Sequence, residues 1–483
     1  MSLQKQTLWS LAPLVVATLV NLVSVPLFLR YLGLDMYALW SYVLTFTGAF
    51  GFMDLGLGVA VGRYVGVALA RKDQVAVKEY WGTGHAVAVP LLIAMSIGFT
   101  VTGFYFGPEW FNVAPANVGL LKWSFVAGGL GLFFSYYGQL WYILSQAHLD
   151  FAFLSRLRIV ITLLTIVPSI YLAKKTGNPL ILLSWASLIL LGQAGWLIWR
   201  SQKKYALRFH FDFFRRTRFI EMATFTAKIF ADLLIGAFFG ASDRLILGKL
   251  APPPDFAHYS VATNVGSRLS GLSVAVMGPV FHNTSRAVGR DAMSEAAAVY
   301  NTTFQFIFDW FLLATLWSAA WAKPALTFWL GQTAGAGVLP VFVPLIAAYS
   351  LMSMSNIAGA QLGPLNRVGT GLIIRVCTTL LTVAVVWLGW QRYGIAGAAW
   401  GFFVSRCFCL VQDFFVILHI KGGGWLAAQT WRKIVAQVAY AGFWILLIRL
   451  FAFSYPLQLL FAVVHGASVS CYLLRQNLKS LRQ

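Results

Sequence analysis

Ionisable side chains stand inside runs of residues that are otherwise apolar, and these are the positions where the sequence could do chemistry. Asp54, Lys122, Lys228, Asp232, Asp243, Arg244, Arg268, Asp309, Arg375, Arg406 and Asp413 are of this kind, with Asn21, Gln139, Asn264 and Asn356 as uncharged polar company. A charge within a membrane-spanning helix is expensive and by default marks a functional position, unless it lies close enough to the end of its span to reach the headgroups. Lys122, Arg244, Arg375 and Arg406 are open to that second reading. Lys228 and Asp232 are four apart and can pair on one helix face, and Arg406 and Asp413, seven apart, share a face in the same way. Arg268 sits at mid-run, where snorkelling is hardest, with Asn264 one turn before it and Gly271 close by. It is the foremost candidate for a cation lining a water-filled cavity. Asp54 comes second, as a functional carboxylate or as the buried partner of one of these arginines. Cations slightly outnumber carboxylates in the set, so the expected guest is anionic or mixed.

Other chemistries find little purchase. The sequence has no metal-ligating cluster, nucleotide-binding glycine loop or nucleophile triad. The glycine-rich stretch from Gly51 to Gly58 lacks the Lys-Ser/Thr of a phosphate loop and sits inside an apolar run, where glycines mostly let helices approach closely. Cys377, Cys407, Cys409 and Cys471 all fall within apolar runs and show no ligand spacing.

The elements that must hold these residues are membrane helices. The chain has 483 residues, is 59% hydrophobic and only 11% charged, and its mean hydropathy is +0.73, whereas a soluble chain is about one-quarter charged. Backbone polar groups in lipid must be satisfied within the segment, which makes the apolar runs helices, and a crossing takes ~20 residues. The runs predict an all-α polytopic membrane protein of about fourteen spans, near 8–30, 37–60, 83–106, 119–145, 153–173, 179–200, 222–249, 257–281, 303–322, 339–360, 368–391, 395–419, 430–450 and 455–474. The first run reads as the first span, not as a cleavable signal.

The net charge of +21 is distributed by side. Alternate loops hold about 23 of the Lys and Arg residues, from Lys5 through the 200–218 loop to Arg482, and the opposite loops hold about seven. This is the positive-inside pattern. It predicts cytoplasmic termini and argues against nucleic-acid binding. The 200–218 loop interleaves Phe and Tyr with Arg and Lys, and reads as a cytoplasmic linker that lies against anionic headgroups.

Two stretches recur. LFLRYLGLDMYALWSYV (27–43) is matched in pattern by residues 245–262, and the 62–80 segment by 284–300. The offset covers six spans, an even number, so the two copies have the same orientation, as in parallel repeats. The domain reading is an N-lobe at 1–205 (spans 1–6), a linker at 206–220, a C-lobe at 221–420 (spans 7–12), and two added spans with a tail at 421–483.

The stretches PLFLRYLGLDMYALW after Asn21, FGFMDLGLGVAVGRYV, Asn366-Arg367 and YGIAGAAWGFFVSR (393–406) resemble the polysaccharide-transport branch of the multidrug/oligosaccharidyl-lipid/polysaccharide (MOP) flippase superfamily. The resemblance covers essentially the whole chain. It implies two six-helix lobes in a V, as in the multidrug-and-toxin (MATE) exporters, with a central cavity opening alternately to each side. The implied guest is a polyprenyl-diphosphate-linked oligosaccharide, an O-antigen or exopolysaccharide repeat unit, carried across a bacterial inner membrane. Cavity arginines meeting the diphosphate are implied at Arg268, with Asn264, Arg30, Arg63 and Asn21 as companions. Spans 13–14 would form a lipid-tail groove. No cofactor is implied; uphill movement needs H⁺ or Na⁺ coupling, for which Asp54, Asp232 and Asp309 are the carboxylates to test. Membrane lipids and the polysaccharide polymerase of the same pathway are the further partners. The alternatives are a MATE-type cation-coupled exporter and, from a different class, a membrane polymerase or ligase. The second lacks its expected support, because the loops near 107–118 and 323–338 hold no catalytic constellation.

Overall fold

The structure is a computed structural model, and it describes residues 3–53, 55–148, 150–205, 213–288, 290–365, 367–420, 439–440, 442–443 and 455–480. The described chain is helical from end to end. It runs α1 (Leu3–Ala49), α2 (Leu57–Ala70), α3 (Gln74–Trp110), α4 (Val118–Ala147), α5 (Phe151–Thr176), α6 (Pro179–Tyr205), α7 (Arg216–Leu250), α8 (Pro253–Val288), α9 (Met293–Leu330), α10 (Gln332–Leu362), α11 (Val368–Cys407), α12 (Leu410–Ile420) and α13 (Tyr455–Ser480). Every span expected from the sequence falls on one described helix or, for 37–60 and 395–419, on two in succession, except the one near 430–450, which lies mostly outside the described residues. Among the described residues, seven helical stretches are long and apolar enough to cross a membrane on length and composition alone.

Two long helices each hold two spans. α1 bends at Gly33, whose φ of 75° and ψ of 170° suit only a residue without Cβ, and α11 bends at Gly394 with φ 60° and ψ −146°. The second span, expected to be continuous over 37–60, is broken. Helix α1 stops at Ala49, and α2 starts after Leu55 and Gly56, both left-handed, with φ of 49° and 81°. The glycine-rich stretch explains the break, since Gly is the residue that helices tolerate least after Pro. Asp54 lies outside the described residues.

The chain divides into two compact units, residues 1–257 and 258–483. In the first unit α1 packs along α5 and α7, α4 along α3 and α6, and α2 against α3, α4 and α7. Its centre is aromatic: Phe125 lies near Phe46, Phe99 and Phe111, and Tyr42 stacks on Phe111 at 4.3 Å between centroids. In the second unit α9 packs along α10, α10 along α11 and α12, and α13 against α9. Tyr300, Phe304, Ile307 and Phe311 form one buried stripe of α9 and meet Met354, Ile357 and Ala358 of α10.

The turns repeat more faithfully than the residues do. Left-handed backbone occurs at Lys72 (φ 59°) and again 219 positions later at Asp291 (φ 55°), at Asn112 (46°) and 219 later at Gly331 (83°), and at Gly177 (58°) and 217 later at Gly394 (60°). The first pair ends its helix with the same bond. Asp73 N–H donates to the Ala68 carbonyl at 3.0 Å, and Ala292 N–H to the Ala287 carbonyl at 2.9 Å, which is the six-to-one bond of a Schellman ending. Asp150 to Ser145 and Arg367 to Leu362 repeat that bond at an offset of 217. The sequence match at about 220 residues is therefore a match of backbone conformation.

Candidate functional site

Helix α8 carries the most polar face associated with the sequence candidates. Ser267, Ser270 and Ser273 each donate to the carbonyl three residues back, at 3.1, 3.2 and 2.8 Å. Their hydroxyls are thus satisfied within the helix. Ser273 also accepts from the Asn356 amide of α10 at 3.0 Å. Asn264 is half-buried and Arg268, one turn on, is exposed. Within the predicted span 257–281, Arg268 lies roughly 16–20 Å from either end. A guanidinium that deep cannot reach the headgroups, and exposure to hydrocarbon would be costly.

Beside this face is an apolar cavity of about 380 Å³, lined from α8 by Val265 and Leu269, from α9 by Trp310 and Trp317, and from α13 by Gly466 and Ser470. Helix α13 is seated on α9 by two indole bonds: Trp317 Nε1 donates to the Ala462 carbonyl at 3.0 Å and Trp321 Nε1 to His465 Nδ1 at 2.8 Å. Within the second unit, an exposed arginine stands next to a space suited to hydrocarbon.

The remaining sequence candidates are dispersed. Asn21 donates its amide to the Ala17 carbonyl of its own helix at 2.7 Å. Arg30 is exposed just before the Gly33 bend. Arg63 is exposed on α2, its guanidinium 4.5 Å from the Phe225 ring centre, a cation–π contact. Asp309 is buried in α9 at 1% exposure. The side chain of Asp232, like Asp54 and the Lys228 side chain, lies outside the described residues.

Arg406 and Asp413 do not share a continuous helical face as their spacing suggested, because α11 ends at Cys407 and α12 begins at Leu410. Both are fully buried. Arg406 lies 4.3 Å from the Phe402 ring centre, and Asp413 Oδ1 accepts from the Tyr300 hydroxyl of α9 at 3.0 Å. Sequence reasoning missed Tyr300, since a tyrosine in an aromatic stripe carries no mark of a partner more than a hundred residues away. It also missed a polar clasp between α3 and α7. Tyr80 donates to Glu221 Oε2 at 2.5 Å, and Arg218 donates to Glu79 at 3.1 Å and to Tyr80 at 3.0 Å.

The profile of the polysaccharide biosynthesis protein family matches residues 3–284. The chain belongs to that family. The fold of this family member is that of the MOP superfamily. It superposes on the lipid II flippase MurJ in an inward closed conformation with a TM-score of 0.72 at 12% identity, covering 97% of this chain and 99% of that one. An inward-facing multidrug-resistance MATE transporter of the MOP superfamily gives 0.66 at 13% identity, over 89% and 97%. A MOP superfamily transporter from Pyrococcus furiosus, described as having a binding pocket of reversed polarity, gives 0.60 at 14%, over 86% and 95%. No curated protein matches the chain. The chain is a multi-pass membrane protein of polysaccharide biosynthesis with a transporter's fold.

Proposed function

We propose that this protein flips a polyprenyl-diphosphate-linked oligosaccharide across a bacterial inner membrane by alternating access. The observation that carries the reading is Arg268, exposed on α8 at the middle of the span expected over 257–281 and flanked by the apolar cavity under α13. A diphosphate headgroup cannot cross a ~30 Å hydrocarbon slab unaided. Arginine replaces its lost hydration with charge-assisted, bidentate bonds, while the prenyl tail stays in an apolar setting such as the α13 cavity. Family membership supplies the pathway, and the repeat unit of a surface polysaccharide is the guest that fits it. Asn264 extends the polar face beside Arg268; Arg30, Arg63 and Asn21 serve the headgroup on the N-lobe. Asp309, Asp54 and Asp232 are the carboxylates proposed for H⁺ or Na⁺ coupling. The division into lobes at 1–205 and 221–420 with two added spans belongs to the same proposal, as do cytoplasmic termini and a polymerase partner.

Deletion of the gene tests the reading: lipid-linked repeat units should accumulate on the cytoplasmic face and surface polysaccharide should disappear. Arg268→Ala should abolish complementation at near-normal protein abundance, with Arg268→Lys partly active. Normal surface polysaccharide in the deletion strain, or export of organic cations as the sole lost activity, overturns it.

A further inference from the structure

The first unit has a second cavity, remote in sequence from everything assigned above. Helices α5 and α6 run antiparallel and leave a groove of about 430 Å³ between them. Its walls are one stripe from each helix: Leu157, Ile161 and Leu164 from α5, and Leu188, Gly192 and Trp196 from α6. The α6 positions are spaced by four, so they line one face. At Gly192 a Cβ would meet nothing within 4 Å, and the groove is open there. Near the deep end Trp185 Nε1 donates to the Leu164 carbonyl at 2.9 Å, tying α6 to α5. From Phe153 at the mouth to Leu164 is roughly 16 Å of helix, about half of the ~30 Å hydrocarbon thickness, the depth of one leaflet.

The mouth is cationic and sits at headgroup level by two independent marks. Trp196 and Trp199 are about half exposed there, as in the aromatic belt of a membrane interface. Arg156 lines the groove itself, and it, Arg158 and Lys203 are exposed. Among the described residues at this end, the carboxylate of Asp150 is held by two cations, Arg200 at 2.7 Å and Lys204 at 2.6 Å. Arg200 also stacks over Phe153 at 3.8 Å, which fixes the rim. Arg156, Arg158 and Lys203 bring further positive charge to the rim beside that pair.

We propose that the α5–α6 groove binds one anionic phospholipid of the leaflet facing the basic loops, with an acyl chain lying from Phe153 to Leu164 and the phosphate at Arg156. An apolar slot one leaflet deep, with arginine and tryptophan at its outer end, fits that molecule in length, polarity and charge. A prenyl-linked sugar would need a polar wall for the sugars, and the rim offers mainly charge.

The test is native mass spectrometry of the full chain after equilibration with vesicles of equal parts phosphatidylglycerol and phosphatidylethanolamine. One phosphatidylglycerol should stay bound per chain. Arg156→Gln should weaken retention about fivefold, the size of one basic residue's attraction to an anionic surface. Gly192→Phe should fill the slot and expel the lipid, and the two variants act through different parts of the site, so a folding failure in one leaves the other to decide. Arg290→Gln, which removes an exposed arginine paired to Glu295, should change nothing. Equal retention of both lipids, retention unaffected in both variants, or displacement of phosphatidylglycerol by a polyprenyl diphosphate at equal concentration overturns the proposal.

Discussion

At the scale of residues, the α4–α5 turn is a knot whose protonation can be followed. His148 stacks on Tyr205 with 3.8 Å between ring centres, and burial lowers its pKa from the ordinary 6.5, with the Leu144 carbonyl opposing. Burial works against ionisation of Asp150, but hydrogen bonds from Lys204 and Arg200 outweigh it and hold the carboxyl below its usual 3.8. Both groups have folded values below their unfolded ones, so each contributes stability above its unfolded pKa and loses it as pH falls through the folded value. Thermal unfolding followed from pH 8 to 3 should show a first loss below about pH 6.5 that His148→Phe removes. A second loss, below about pH 4, should vanish in Asp150→Asn, which is less stable at neutral pH. That Arg268, Arg406 and Asn21 stand on helices was legible from the apolar runs around them. Which way they point was not: Arg268 is exposed, Arg406 is fully buried over Phe402, and Asn21 turns back on its own helix. Spacing along one helix carries no information about the helix opposite, and so Tyr300 was invisible as the partner of Asp413.

At the scale of elements, the helices followed directly from the apolar runs, because lipid leaves the backbone no other way to satisfy its polar groups. The bends were less legible. Gly33 and Gly394 adopt backbone angles that side chains disfavour, yet nothing lies within 4 Å of where a Cβ would stand at either. The cost of Gly33→Ala is therefore purely conformational, ~1–3 kcal/mol, and a lowered Tm with unchanged topology should report it. The opposite change is expected at the α2–α3 turn. Lys72 carries a strain at φ 59° that glycine does not, so Lys72→Gly should stabilise the fold by ~0.5–1 kcal/mol, read as a modest rise in Tm. The break at 50–56 within the second span was hidden in an apolar stretch whose hydropathy is continuous; only its glycines hinted at it.

At the scale of the whole molecule, orientation is the property most worth fixing, because six spans separate equivalent points of the two copies. Reporter fusions after Asp73 and after Asp291 should both report the cytoplasmic side, and fusions after Asn112 and after Gly331 the opposite side. Disagreement within either pair would break the parallel relation; agreement with the sides exchanged would reverse the termini. The number of spans and the recurrence at about 220 residues were readable in the sequence. The strength of that recurrence was not, since it resides in turn geometry that Lys72 shares with Asp291, and Asn112 with Gly331, without sharing a side chain.

Those unlike pairs point to descent by gene duplication from a half-length ancestor. Such an ancestor, entering and leaving on the same side, would have needed no change of insertion signals when its copies were fused. Under such a duplication the path of the main chain at helix ends is what persists, while the amino acids that trace it differ between the copies. Related chains should accordingly be aligned by where the backbone turns left-handed before they are aligned by letter.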